Sequence, residues 1–186
     1  MDISIYNNPW RYAVTDNLID STLIDTIQKT FSAHDHQNHY YVDHPMCRES
    51  QQLLQKSEDK IFNNLNYWFS LFPQHRKFDH YEMLTYVSRQ FAEHEYHVHD
   101  EDSRKSISFV TYIWPESGHG TSIHKTADKS NFFEIQWKVG RSFIFSGIAG
   151  KTWHSYKSGL TPRLTLNHFI VQKGTAIQFK PSQPGE

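Results

Sequence analysis

Apolar residues recur at a helical period in the first part of the chain and switch to alternation after Pro73. Leu18, Ile19, Leu23, Ile24, Ile27 and Phe31 fall along one helical stripe, with Asp20 or Ser21 as the N-cap. A second, longer pattern predicts a helix from about Arg48 to Phe72. Leu53, Leu54, Ser57, Ile61, Leu65, Trp68, Phe69 and Phe72 form its packed face, and Pro73 stops it. The stretch between, His34-Asp35-His36-Gln37-Asn38-His39, is polar and reads as a loop.

Beyond Pro73 the pattern is that of strands. Tyr81–Gln90 is one, Tyr96–Asp100 a short second, and Ser106–Trp114 an alternating third that ends at Pro115. Gly120–His124, Asn131–Trp137, Arg141–Ser146, Lys151–Tyr156 and Arg163–Gln172 follow, punctuated by Gly140, Gly147, Gly150, Gly159 and Pro162. Short strands at this spacing predict a mainly β fold with N-terminal α: a double-stranded β-helix, or jelly roll, with helices supporting one sheet. The expected plan is a single domain, 1–186. Residues 1–80 are mostly helical support, 81–172 the jelly-roll core, and 173–186 a loose tail.

A chain of 186 residues suits one domain and buries enough surface to need no covalent staple. The single cysteine, Cys47, excludes a disulfide framework and a cysteine-rich zinc site. A net charge of −1 with no basic stripe argues against a nucleic-acid partner. No signal-peptide pattern and no membrane-length apolar run are present, so a cytoplasmic protein without a membrane partner is expected. No feature sets an oligomeric state. The 13 histidines and the 15% aromatic content turn attention to metal chemistry.

Tyr96-His97-Val98-His99-Asp100-Glu101 carries the densest ligand pattern, followed by a lone histidine in Trp153-His154-Ser155 and by Arg163. On a strand, residues two apart share a face, so His97, His99 and Glu101 point one way, Asp100 and Asp102 the other. His99 and Glu101 are close enough to hold one ion, and His154 sits on a later strand that a jelly roll could bring alongside. Two imidazoles and a carboxylate on one face of a metal leave positions open for co-substrate and O₂. The plain alternative is a polar strand with surface histidines. A second alternative is a cupin-like site built on His97, His99 and His154, although Ser103 and Arg104 stand where that pattern wants a glutamate. Arg163 and Thr165 share a strand face, where a guanidinium could grip a carboxylate with two hydrogen bonds and a hydroxyl could add a third.

In order, these segments resemble the Fe(II)/2-oxoglutarate-dependent dioxygenases, most closely their prolyl-hydroxylase-like branch. Tyr86 and the 96–101 run resemble the family's two tyrosines and His-x-Asp/Glu motif. Lys105–Trp114 resembles the next strand, with Tyr112 at a tyrosine position, and Gly120-Thr121 the turn that opens the following one. Trp137–Phe145, Thr152–Ser155 and Arg163–Leu166 resemble the closing segments; coverage is roughly 80–172. The resemblance implies His99, Glu101 and His154 as iron ligands. It implies Arg163 as partner of the far carboxylate of 2-oxoglutarate, with added hydrogen bonds from Tyr112, Tyr86 and Thr165. It further implies Fe(II) as cofactor, 2-oxoglutarate and O₂ as co-substrates, and a hydroxylase releasing succinate and CO₂. The substrate would be a protein side chain, an amino acid or a small metabolite. Glu101 stands where most of the branch has aspartate, and the usual glycine turn is replaced by Val87–Glu95, so the resemblance does not carry a substrate. The rival class is a cupin-like or degenerate jelly roll that binds metal without 2-oxoglutarate chemistry.

Overall fold

The computed structural model describes residues 2–31, 39–41, 45–90, 104–128, 132–156 and 162–175. In chain order the elements are β1 (Ser4–Tyr6), β2 (Tyr12–Thr15), α1 (Ser21–Phe31), β3 (His39–Tyr41) and a 3-10 segment over Pro45–Ser50. Then come α2 (Gln51–Phe62), α3 (Leu65–Leu71), β4 (Tyr81–Gln90), β5 (Lys105–Trp114) and β6 (Thr121–His124). The last are β7 (Phe132–Glu134), β8 (Ser142–Ser146), β9 (His154–Tyr156) and β10 (Arg163–Gln172). Among the described residues they form a seven-stranded sheet in the order β1-β2-β8-β5-β10-β4-β3 and a three-stranded sheet in the order β7-β6-β9. The fold is the expected jelly roll, mainly β, with helices against one sheet.

Strand parity divides the large sheet into two chemically different faces. Leu164, Leu166 and Ile170 of β10 join Ile107, Phe109 and Ile113 of β5 in one core with Leu23, Ile27 and Phe31 of α1, Leu54 and Ile61 of α2, and Trp68 of α3. The Trp68 ring meets Phe109 edge-on, with centroids 5.1 Å apart, and its Nε1 donates to the Ile61 carbonyl at 3.0 Å. Gln28 of α1 reaches the Ile113 carbonyl at 2.6 Å, fixing that helix to β5. Between the two sheets lies a second, aromatic cluster that includes Tyr12, Tyr112, Ile123, Trp137, Phe143 and Phe145.

Helix α1 starts where the sequence places it, with the Asp20 carboxylate accepting the Thr22 N–H at 2.8 Å. The long second helix is instead a 3-10 segment and two helices. At Asn63-Asn64 the backbone tightens, the Asn64 N–H bonding to Ile61 O, and two adjacent poor helix formers let the chain turn. The turn lets the Trp68 indole fold back onto α2. The N-terminal part also supplies strands as well as helices: β1 and β2 extend the large sheet beside β8, and β3 pairs with β4. His39, expected in the polar loop, belongs to β3; 32–38 and the expected strand Tyr96–Asp100 lie outside the described residues.

β7 ends at Glu134, short of the expected Trp137, because Trp137 leaves the ladder to stack on Tyr112 at 4.5 Å and to bond Pro115 O at 2.7 Å. β9 begins at His154, not Lys151, because the Lys151 and Thr152 N–H groups close a turn on Ile148 O around Gly150 (φ 71°). Among the described residues no helix is long and apolar enough to cross a membrane.

Candidate functional site

The inward face of β10 starts with Arg163, Thr165 and Asn167, all buried. Thr165 is the register partner of Tyr112 on β5 and of Ser88 on β4, and Asn167 that of Tyr86. The Asn167 amide donates to Thr165 Oγ1 at 3.2 Å. Three consecutive inward positions are thus polar and buried. A protein interior tolerates that where the groups bond one another or a ligand.

His154 reaches the same space from the small sheet. It is the register partner of Ile123, an aromatic-cluster residue, and its ring meets Phe145 of β8 edge-on at 4.9 Å. Its Nδ1 lies 2.8 Å from the Thr152 carbonyl. A carbonyl only accepts, so Nδ1 carries the proton and Nε2 has the lone pair in the neutral ring. This is the tautomer and orientation expected of a metal-binding histidine, whose second nitrogen commonly donates to a backbone carbonyl.

Tyr156, two residues on, shares the inward face of β9, and its ring covers the Arg163 guanidinium at 4.3 Å. The Tyr112 ring lies 6.0 Å away from the same group. One short strand therefore presents an imidazole and, beside it, the aromatic cover of a buried cation.

The far wall depends on Gly120. A Cβ there would overlap the Ile135 carbonyl, so only glycine lets the two segments approach. With that approach the Ile135 N–H bonds Thr121 O at 2.8 Å, and the Thr121 N–H reaches the Tyr112 hydroxyl at 2.8 Å. The Gly120 N–H bonds Glu134 Oε1 at 3.0 Å. Tyr112 Oη accepts the bond from Thr121, which leaves its own proton to donate.

Burial pulls the Arg163 pKa down to about 10, opposed by Tyr112, Tyr156 and Glu134, so the guanidinium stays charged at neutral pH. Burial pushes the Tyr112 hydroxyl up, so it stays a neutral donor. A buried permanent cation between aromatic rings and neutral hydroxyls suits an anion with planar, two-oxygen geometry.

The structure brings together His154, Arg163, Tyr112 and Thr165 around the space between the sheets. Tyr86 lies one inward rung further along and packs on Tyr41 and Phe169, with centroids 5.3 and 5.5 Å away. His97, His99 and Glu101 lie outside the described residues, and among the described residues no group of three His, Cys, Asp or Glu is placed to hold a metal ion. Tyr156, Asn167 and Glu134 join the site without a motif. Parity could have found the first two, each two residues beyond a candidate; nothing in the sequence marks Glu134.

No protein-family model matches the chain, and no curated protein matches it in sequence. Its backbone is similar to solved structures. The viral collagen prolyl hydroxylase of Paramecium Bursaria Chlorella virus-1 matches with a TM-score of 0.57 at 17% identity, over 87% of this chain and 90% of that one. A prolyl hydroxylase from Trichoplax adhaerens, solved with a hypoxia inducible factor peptide fragment, gives 0.60 at 10% identity, over 91% and 87%. A 2OG-Fe(II) oxygenase family oxidoreductase from Burkholderia pseudomallei gives 0.56 at 11% identity, over 86% and 84%. The chain has the jelly-roll fold of the prolyl hydroxylases and related 2OG-Fe(II) oxygenases.

Proposed function

We propose that this protein is an Fe(II)- and 2-oxoglutarate-dependent dioxygenase that hydroxylates a C–H bond of a protein side chain, an amino acid or a small metabolite. The observation that carries this reading is the pairing on β9. His154 has Nδ1 bonded to Thr152 O, and Tyr156 beside it covers the buried Arg163. A neutral imidazole and a buried carboxylate grip at adjacent inward positions are what a metal-chelating dicarboxylate needs. His154 Nε2 would bind iron, with His99 and Glu101 supplying the other ligands. Arg163 would bond the far carboxylate through two N–H groups, helped by the hydroxyls of Tyr112 and Thr165. Tyr86 would contribute at the edge of this pocket.

Bound iron and 2-oxoglutarate would supply the oxidising chemistry, taking up O₂ and releasing succinate and CO₂ as one oxygen atom enters the substrate C–H bond. The chain's own part is to orient the two carboxyl ends, hold Tyr112 as a neutral donor and His154 in one tautomer, and keep water out between the sheets. A solved relative, the viral collagen prolyl hydroxylase, is known as a 2-oxoglutarate complex, and the Trichoplax enzyme binds a peptide. A peptide side chain is the substrate class this favours, on fold likeness alone.

The test is calorimetric binding of 2-oxoglutarate to the Mn(II)-loaded protein, together with Fe(II)-dependent succinate release. Both should be lost in His154→Ala, and binding should weaken about a hundredfold in Arg163→Leu. Binding retained in both variants would sink the assignment. Metal binding insensitive to Glu101→Ala would favour the cupin-like alternative.

A further inference from the structure

We propose that the cleft where the β1–β2 turn, the end of α3 and the β8–β9 loop meet is a binding site for a small carboxylate with a flat apolar body, such as an aromatic acid. The cleft has a volume of about 310 Å³. Arg11 and Lys151 supply two positive charges, and no residue lining it is acidic. Trp10 and Phe72 give it apolar walls. None of its lining residues is among those proposed to hold iron and 2-oxoglutarate.

Two observations show that it is built rather than incidental. Arg11 is held in place, its Nε donating to the Leu71 carbonyl at the end of α3 and its Nη1 to Asn7 Oδ1 at 2.9 Å. Both acceptors are neutral, so the fold orients the guanidinium without cancelling its charge. Among the lining residues Ser146 is only 4% exposed, and its hydroxyl bonds to no group among the described residues. A buried hydroxyl in that state has a hydrogen bond left to give to an occupant. Charge at the rim, an apolar wall and a buried hydroxyl together select an anion with a hydrophobic body over a bare ion or a neutral apolar molecule.

The cleft also touches the loop that sets His154. Thr152 lines it, the Thr152 hydroxyl accepts the Ile148 N–H at 2.9 Å, and its carbonyl holds His154 Nδ1. An occupant therefore bears on the loop that fixes the imidazole. Only this last link rests on the iron-site reading; binding in the cleft does not.

The experiment is a titration of the metal-free, isotope-labelled protein with benzoate at low ionic strength, since both cations face solvent. Benzyl alcohol and inorganic phosphate serve as the neutral and the bare-anion probes. Benzoate should move the Trp10 indole, Thr152 amide and His154 imidazole nitrogen resonances saturably. Affinity should fall about tenfold or more for benzyl alcohol, for phosphate and in Lys151→Gln, the worth of one charge-assisted hydrogen bond. Lys151 is an exposed turn residue, so this variant keeps the fold. Ser146→Ala should also bind more weakly. Equal binding of benzyl alcohol would mean an apolar crevice only, and equal binding of phosphate simple counter-ion attraction; either overturns the proposal. So do an unchanged affinity in Lys151→Gln and the absence of any saturable shift. His154 nitrogens that stay still while Trp10 and Thr152 move would overturn the link to the metal side.

Discussion

The two faces of β10 bury charge-capable groups in opposite ways. On the helix-covered face His168 sits among Leu164, Leu166 and Ile170, fully buried, and its pKa is pulled down to about 3 by loss of solvent. Its Nε2 is 2.8 Å from Ser57 Oγ of α2. The serine donates its own proton to Leu54 O at 2.7 Å, so the histidine must be the donor, and its Nδ1 bonds to no group among the described residues. A second proton on that ring would place an unpaired charge in an apolar layer. On the inner face the same desolvation acts on Arg163, but a guanidinium starts so high that it remains charged. Burial thus makes one face electrically silent and leaves the other a fixed cation. That is the difference between a packing layer and the surface proposed to take an anion.

Truncating the packing layer should do the most damage. Trp68→Ala should lower unfolding free energy by about 3–5 kcal/mol, because a large ring and its contact with Phe109 are lost together. Urea denaturation measures it, and a loss below about 1 kcal/mol would mean that the helix-covered face does not hold the sheet.

His168 sharpens the comparison through pH. The unfolded ring binds a proton near 6.5 and the folded one only near 3, so the unfolded state gains protons first on acidification. Its contribution is fully present above pH 6.5 and is lost as pH falls from there towards about 3. The full loss is on the order of 5 kcal/mol. His168→Leu should flatten the pH–stability curve between pH 6 and 4; an unchanged slope would break the claim that this face excludes charge.

Arg163→Leu acts on the other face. It should weaken 2-oxoglutarate binding about a hundredfold, the loss expected from a buried charge-assisted pair. Mn(II)-loaded calorimetry reads it directly. Tyr156→Leu should give the smallest effect: about five- to thirtyfold weaker binding, from loss of a desolvated cation–π contact of about 1–2 kcal/mol. Tyr156→Phe keeps the ring and should bind as the unaltered chain does. A Phe variant as impaired as the Leu one would assign the role to the hydroxyl instead.

Legibility followed the length and regularity of the pattern. The strands Tyr81–Gln90 and Arg163–Gln172 begin and end where their sequence predicts, because each keeps a long run between clear breaks. The N-terminal strands were not legible. Ser4–Tyr6 and Tyr12–Thr15 are too short to show a period, and each is held by a partner distant in sequence or by a hairpin. Of the candidate site, Arg163 and Thr165 could be paired because spacing on a strand fixes which side chains share a face, whereas His154 and Tyr112 are named through the resemblance of their segments to the dioxygenase family. Tyr156 and Glu134 matter only through residues on other strands.

The sequence by itself determined which chemistry each strand carries. Alternation put Arg163 and Thr165 on one side of β10, Leu164 and Leu166 on the other, and fixed the switch from helices to strands. Only the tertiary structure decided which side met the other sheet and which met the helices. It also decided that a tyrosine of β9 would cover the arginine of β10, and that Gly120 would let Ile135 close on Tyr112. The physical reason is range. Side-chain parity is set by neighbouring backbone dihedrals, whereas desolvation, ring stacking and close approach depend on segments the chain brings together only on folding.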